Sequence, residues 1–347
     1  MNFSRRIIAW YSRHKRDMPW RNTKNPYYIW LSEIILQQTQ ITQGQPYYDA
    51  FVDKYPTVFD LAYAQESEVL KLWQGLGYYS RARNLHASAK YIVNDLHGVF
   101  PTTYNDLLEL KGVGDYTASA IASICYNEPT AVVDGNVYRV LSRYFGIDTP
   151  INSTKGIKEF KTLATSLIDH QNPSDHNQAI MEFGAIQCKP RNPHCHNCPL
   201  NESCVALQKN IIDQLPVKLK KTTVSTKHFN YIVMLSTDKS TVFQKRTNKG
   251  IWQNLCQFPL LETDQKLKIS EFKKHPFIVN LFGETTFEFS LYNNKDIVHK
   301  LSHQHLHTKF WIVEIDQLPQ KGIPIADLKG YPTSILISNF IDEFFDV

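Results

Sequence analysis

The sequence predicts a multi-domain chain, an all-α region followed by a smaller α+β region. Three observations predict it. Apolar residues recur at helical spacing through about residue 205, and few segments alternate. Four of the six cysteines then crowd into the short stretch Cys188 to Cys204. From Phe229 on, short β-type runs replace the helical pattern. With 347 residues the chain has room for about two domains, expected at 1–208 and 229–347 with a linker at 209–228. The formal charge of +5 permits a polyanionic partner without demanding one.

At the N-terminus, Arg5 and Arg6 imitate the start of a signal peptide. The apolar run Ile7 to Trp10 is too short for its hydrophobic core, and no small-residue cleavage site follows. No stretch approaches a membrane span. A soluble cytoplasmic protein is expected. In that compartment clustered cysteines read as metal ligands, and the isolated Cys125 and Cys256 as buried thiols.

Helices are expected over Tyr27–Leu36, Glu68–Trp73, Tyr116–Ile124 and Asn177–Phe183, separated by glycine-bearing breaks at 74–77 and 111–114. In Leu110-Lys-Gly-Val-Gly114 the two glycines allow a tight turn and a close approach by a partner. The amides opening the next helix would suit a phosphate, and Lys111 adds charge. A plain helix–turn–helix corner would use glycine equally well. Asp115 suits the helix dipole but would oppose a nearby phosphate.

The cysteines are spaced C-x6-C-x2-C-x5-C. One knuckle flanked by single cysteines can wrap an iron–sulfur cube bound by four thiolates. Zinc remains open, because structural zinc uses similar knuckles and His194 and His196 could serve as ligands. Beyond the loop, Lys209 to Lys227 holds five lysines against one Asp213 and reads as a linker. Strands are expected at Phe229–Leu235, Thr241–Arg246 and Lys309–Glu314, and a terminal amphipathic helix over Leu336–Phe345.

The glycine hairpin, then Val133-Asp134-Gly-Asn-Val-Tyr-Arg-Val140, then the four cysteines together resemble the helix–hairpin–helix DNA glycosylases of the endonuclease III superfamily. Trp30-Leu-Ser-Glu-Ile-Ile-Leu-Gln-Gln-Thr-Gln40 and Gly75-Leu-Gly-Tyr-Tyr-Ser-Arg81 narrow the resemblance to the adenine DNA glycosylases of MutY type. It implies an all-α helix-hairpin-helix glycosylase fold with an iron–sulfur loop, joined to an α+β Nudix-like domain. It implies a monomer that hydrolyses the N-glycosidic bond of adenine mispaired with 8-oxoguanine or guanine in duplex DNA. It makes the metal a [4Fe-4S] cluster on Cys188, Cys195, Cys198 and Cys204, which is not needed for bond breaking.

That reaction needs a proton on the leaving base and an anion beside a sugar that develops oxocarbenium character, as glycoside hydrolysis does. The resemblance assigns the first role to Glu33. Its apolar helix would raise its pKa toward neutrality. The second role falls to Asp134, just before a helix, where amide donors would hold it ionised. The bare alternatives are a solvated helix glutamate and a simple N-cap. At position 116 the bifunctional branch carries a lysine that cuts the strand through a Schiff base. Tyr116 cannot form that adduct, so a monofunctional enzyme leaving an abasic site is expected, with Tyr116 helping to position Asp134. The rival is a bifunctional glycosylase/lyase acting on oxidised pyrimidines.

Undamaged adenine must be recognised through its partner and flipped from the stack. The resemblance implies that Gln38 and Tyr78 wedge into the stack and Thr39 contacts the lesion. Trp20, Arg21 and Gln178 would line the adenine pocket, while Lys111, Gly112 and Gly114 would hold phosphate. Residues 247–259 resemble a Nudix-fold segment without the Glu-rich box, so no Nudix hydrolysis is expected. His299-Lys-Leu-Ser302-His303 matches the family's lesion-sensing loop, with Leu301 in place of its phenylalanine, which removes a stacking surface. A separate reading notes that His303, His305 and His307 would share one strand face and could bind zinc.

Overall fold

The computed structural model describes residues 3–219 and 224–345. By its contacts the chain divides into two compact units, Met1–Tyr63 with Asn84–Lys220, and Ala64–Arg83 with Lys221–Val347.

The first unit is helical, with no strand among its described residues. The helix Pro26–Leu36 buries Tyr27, Ile29, Trp30, Leu31, Ile34 and Ile35, so apolar side chains surround it on nearly every side. It starts where Asn25 accepts a bond from the amide of Tyr27 and Pro26 takes the first helical position. Each large apolar side chain hidden this way contributes about 1.5–3 kcal/mol. The helix Asp115–Tyr126 buries the small residues Ala118, Ser119, Ala120, Ala122 and Ser123, which let a neighbouring helix approach closely. The helix Gly135–Phe145 is capped by Asp134 and stops at Gly146, whose φ is 70°. Pro173–Glu182 runs directly into a π-helical turn, Phe183–Gln187, ahead of the first loop cysteine.

Residues 209–219 of the expected linker lie along this helical unit, while Ser225 to His228 already open a strand of the second. Arg143 donates to the carbonyls of Ile212 and Leu215, and Ile151 donates to Val217. Residues 220–223 fall outside the described residues.

In the second unit a five-stranded mixed sheet is built on two long neighbours, Ser225–Ser236 and Gln304–Ile315, which run parallel. Leu260–Thr263 flanks the first, while Glu288–Leu291 and Ile297–Lys300 pair antiparallel with the second. Over Phe229 to Met234 and Thr308 to Val313 the two long strands are buried on both faces. On one face Ile232, Met234, Trp311 and Val313 pack with Phe272 and Ile278. On the other, Phe310 stacks on Phe340 of the terminal helix Ile335–Phe344, with ring centroids 3.9 Å apart. The run expected as one strand over Thr241–Arg246 splits. Ser240–Thr241 pairs with Ile323–Pro324 and Gln244–Lys245 with Cys256–Gln257. Between them Val242 enters the sheet core and Phe243 turns to Phe258 and Tyr331, so the chain changes partners there. No helix among the described residues is long and apolar enough to cross a membrane.

Candidate active site and metal centre

Glu33, Tyr116 and Asp134 converge within the helical unit. Glu33 points from the apolar Pro26–Leu36 helix. Burial first, and then the charge of Asp134, push its carboxyl up to about 7, against the pull of a hydrogen bond with Tyr116 and of Arg21. Burial and the charge of Glu33 raise the Tyr116 phenol well above its ordinary value, so it stays a neutral donor. Its hydrogen bond goes to Glu33, while Asp134 is felt through its charge, and its oxygen also meets the Met181 sulfur at 3.2 Å.

Asp134 is the N-cap of its helix. Its Oδ1 accepts from the amides of Asn136 at 2.9 Å and Val137 at 2.8 Å, and its Oδ2 from Asn136 Nδ2 at 2.8 Å. The expected donors are therefore present, but burial outweighs them and pushes this carboxyl above its usual range. The pair still divides by environment. Glu33 has one phenol donor and Asp134 has three, so Asp134 ionises first and Glu33 keeps the proton.

Three side chains that the sequence did not single out position this pair. Asn177, buried, accepts from the amide of Val132 and donates to the Thr130 carbonyl and to Ser123, which fixes the strand-like segment leading to Asp134. Glu182, 2% exposed, lies between Arg16 and Arg21 at 2.7 and 2.8 Å. Burial pushes Glu182 up, and the two guanidinium groups overcome it and bring the carboxyl down to about 2. Arg21 also lies over the Tyr11 ring, and the Tyr11 hydroxyl donates to Gln178 Oε1 at 3.2 Å. Trp20 is buried with its ring edge against Tyr48. The third is Arg139. It donates to Asn136 Oδ1 and to the carbonyls of Gly184 and Cys188, so it ties the Asp134 helix to the cysteine loop. For Glu182 and Arg139 the sequence signal was a charged residue among apolar or aromatic neighbours, and Asn177 gave none.

The glycine hairpin shows two different demands. Gly112 has φ 82°, and a Cβ there would meet Asn84 at 2.9 Å, so the fold itself requires glycine. A Cβ on Gly114 would meet nothing within 4 Å. Lys111 is exposed. Asp115, which would repel a phosphate, is engaged by Lys161 at 2.8 Å and by the Tyr104 hydroxyl at 2.7 Å. Gln37 donates to the Gly112 carbonyl and to Thr117, joining the end of the Glu33 helix to the hairpin. Next to it, exposed Gln38 has φ 55°, and half-buried Thr39 follows.

In the second unit Tyr78, Ser302 and His303 line one cleft of about 450 Å³ with Arg83, Trp252 and Leu301. Tyr78 is 48% exposed and has φ 48°. Large side chains held at positive φ are costly and collect at working surfaces. Trp252, at φ 58°, gives this cleft an aromatic wall beside Leu301. His303 precedes its strand, so the three-histidine face expected from the sequence keeps only His305 and His307 on the strand.

All four loop cysteines and Arg143 line a single cavity. Among the described residues, no three loop sulfurs or histidine nitrogens lie within 4.8 Å of one another. With a Zn–S bond near 2.3 Å, four tetrahedral sulfurs would stand about 3.8 Å apart. No three of these ligand atoms therefore already stand at the spacing of a zinc tetrahedron. Burial, with the neighbouring thiols adding to it, pushes the Cys198 thiol up to about 12. Arg143 holds the loop through the carbonyls of Lys189 and Pro190 and lies 3.5 Å from the Cys188 sulfur.

Residues 31–164 match the HhH-GPD superfamily of base excision DNA repair proteins, 188–204 the iron–sulfur binding domain of endonuclease III, and 230–343 the NUDIX domain. The cysteine loop is an iron–sulfur site. An adenine DNA glycosylase from Buchnera aphidicola (subspecies Schizaphis graminum) is 34% identical over 313 residues, which cover 88% of this chain and 85% of that protein. The human adenine DNA glycosylase is 44% identical over 218 residues, 60% of this chain and 40% of its own length. A thermostable thymine-DNA glycosylase structure aligns at 34% identity with TM-score 0.56, over 60% of this chain and 95% of its own. A non-covalent endonuclease III–DNA complex, 21% identical with TM-score 0.52, shares the fold of the helical part. With its paired carboxylates, its cysteine cavity and relatives that span nearly its whole length, the chain belongs to the adenine DNA glycosylase family.

Proposed function

We propose that this protein is a monofunctional base excision repair glycosylase that hydrolyses the bond between adenine and deoxyribose where adenine lies opposite 8-oxoguanine or guanine in duplex DNA. The observation that carries the reading is Glu33, a carboxyl pushed to about 7 beside a second carboxyl that three donors stabilise. Glu33 protonates the leaving adenine at N7, because an anionic base leaves poorly. Asp134 faces the sugar carbon and stabilises its positive charge, or bonds to it transiently until water displaces it. Tyr116 donates to Glu33 and holds it in place. Position 116 bears no amine, so the reaction ends at an abasic site. This also disfavours the oxidised-pyrimidine lyase.

In this reading the wedge consists of Gln38 and Tyr78, Thr39 touches the lesion, and Trp20, Arg21 and Gln178 form the adenine pocket. Lys111, Gly112 and Gly114 take a phosphate, and Ser302 and His303 read the opposite base. Cys188, Cys195, Cys198 and Cys204 hold a [4Fe-4S] cluster, which orders the loop and leaves the bond-breaking step to the carboxylates. The enzyme acts as a monomer in the cytoplasm.

Single-turnover excision on a duplex with adenine opposite 8-oxoguanine tests the reading. Strand breakage is expected only after hot alkali. Breakage without alkali would show a lyase, and none either way would show a binding protein. Glu33→Gln is expected to abolish excision while duplex binding persists.

A further inference from the structure

Away from the glycosylase site, His228, Asp296 and His307 meet on one face of the C-terminal sheet. His228 and His307 are register partners on the two long parallel strands, and their rings lie 5.2 Å apart. Asp296, from the turn before Ile297–Lys300, reaches in with Oδ2 3.6 Å from His307 Nδ1. One ligand atom from each residue lies within 4.8 Å of the other two, and all three side chains are half-buried.

From this geometry we infer that His228, Asp296 and His307 form a binding site for one divalent transition-metal ion, zinc in the first place. Two imidazoles and a carboxylate are a donor set that borderline ions such as zinc prefer, with water left to complete the shell. Ligand atoms around zinc stand about 3.3 Å apart at bonds near 2.0 Å, so small rotations about χ1 and χ2 close the present spacing. The strand pairing fixes both histidine backbones before any ion arrives. The two oxygens of Asp296 are already divided. Oδ1 is buried without a hydrogen bond and has the Lys266 ammonium at 3.5 Å, while Oδ2 faces the rings. Lys309, nearby, is occupied by the Leu267 carbonyl and the Trp311 face. The ammonium of Lys266 beside the site opposes a cation and weakens its binding.

The test is calorimetric titration of zinc chloride into the full-length, cluster-loaded chain after chelator treatment, with iron content checked before and after. One zinc per chain is expected, with affinity at least about tenfold weaker in His228→Gln and in His307→Gln and unchanged in His305→Gln, whose side chain lies outside the group. Zinc is expected to raise the melting temperature of the wild type and not of these two variants. Absence of saturable binding, or binding that both variants retain in full, would overturn the site. Should a variant fail to fold, zinc-edge X-ray absorption on the wild type decides. Two imidazoles in the shell support the inference, and an all-water or sulfur shell overturns it.

Discussion

Glu33 has two tasks that conflict, and its environment shows which prevails. A carboxyl with an ordinary value near 4.5 would be ionised at neutral pH and could not deliver a proton, whereas about 7 leaves it half protonated there. The rate of excision in a single turnover is therefore expected to fall about tenfold per pH unit above pH 7. Tyr116→Phe removes the hydrogen bond that lowers this value, so the falling limb is expected to move to higher pH. A limb that stays put would detach the phenol from Glu33. The same shift has a cost in stability. Because the folded value lies above the unfolded one, the contribution is complete below pH 4.5 and is lost as pH rises through 7. At pH 8 Glu33→Gln removes a penalty of at most about 3 kcal/mol, reduced by the residue's partial access to water. The variant should melt higher than wild type at pH 8 and gain little at pH 5, as thermal denaturation at the two values would show.

At the scale of elements, the hairpin separates what the fold needs from what a partner needs. Gly112 is required by its own chain, through a positive φ and the contact with Asn84, but the space beside Gly114 is open. Gly114→Ala should therefore keep the melting temperature to within the ~1 kcal/mol expected of an altered N-cap. It should weaken duplex binding and lower its salt dependence, as one phosphate contact is lost. Gly112→Ala should unfold the hairpin and lower both. Equal effects of the two on stability would remove the phosphate contact from Gly114. Much of this level was legible in the sequence. The Glu33 helix announced itself by apolar residues on every side, Asp134 by standing before Gly-Asn-Val, and the metal loop by its spacing. What stayed hidden depends on partners distant in the chain. Nothing local tells that Glu182 is clamped by Arg16 and Arg21, that Asn177 ties down the segment before Asp134, or that Asp115 is neutralised by Lys161. Split pairing within Thr241–Arg246 was hidden for the same reason, since Val242 and Phe243 choose different cores.

For the whole molecule the informative fact is that Ala64–Arg83 belongs by its contacts with residues 221–347. The segment is fastened there by specific bonds. Tyr79 donates to the Thr333 carbonyl, Gln74 bonds both Thr333 and Ser338, and Arg83 donates to the Gln253 carbonyl. Periodicity cannot reveal this, because a helical segment looks the same whichever core it joins. The grouping brings Tyr78 into one cleft with Ser302 and His303, and residues that share a cleft do not contribute independently. If that cleft reads the base opposite adenine, His303→Ala and Tyr78→Ala should each reduce the ratio of excision rates on 8-oxoguanine and guanine duplexes. Their double variant should lose less than the product of the two effects, with a coupling of about 1 kcal/mol. Neither change touches Glu33, Tyr116 or Asp134, so the shape of the pH profile should be preserved. Additive losses in the double variant would mean that the cleft does not act as one reader, even if each residue contacts DNA.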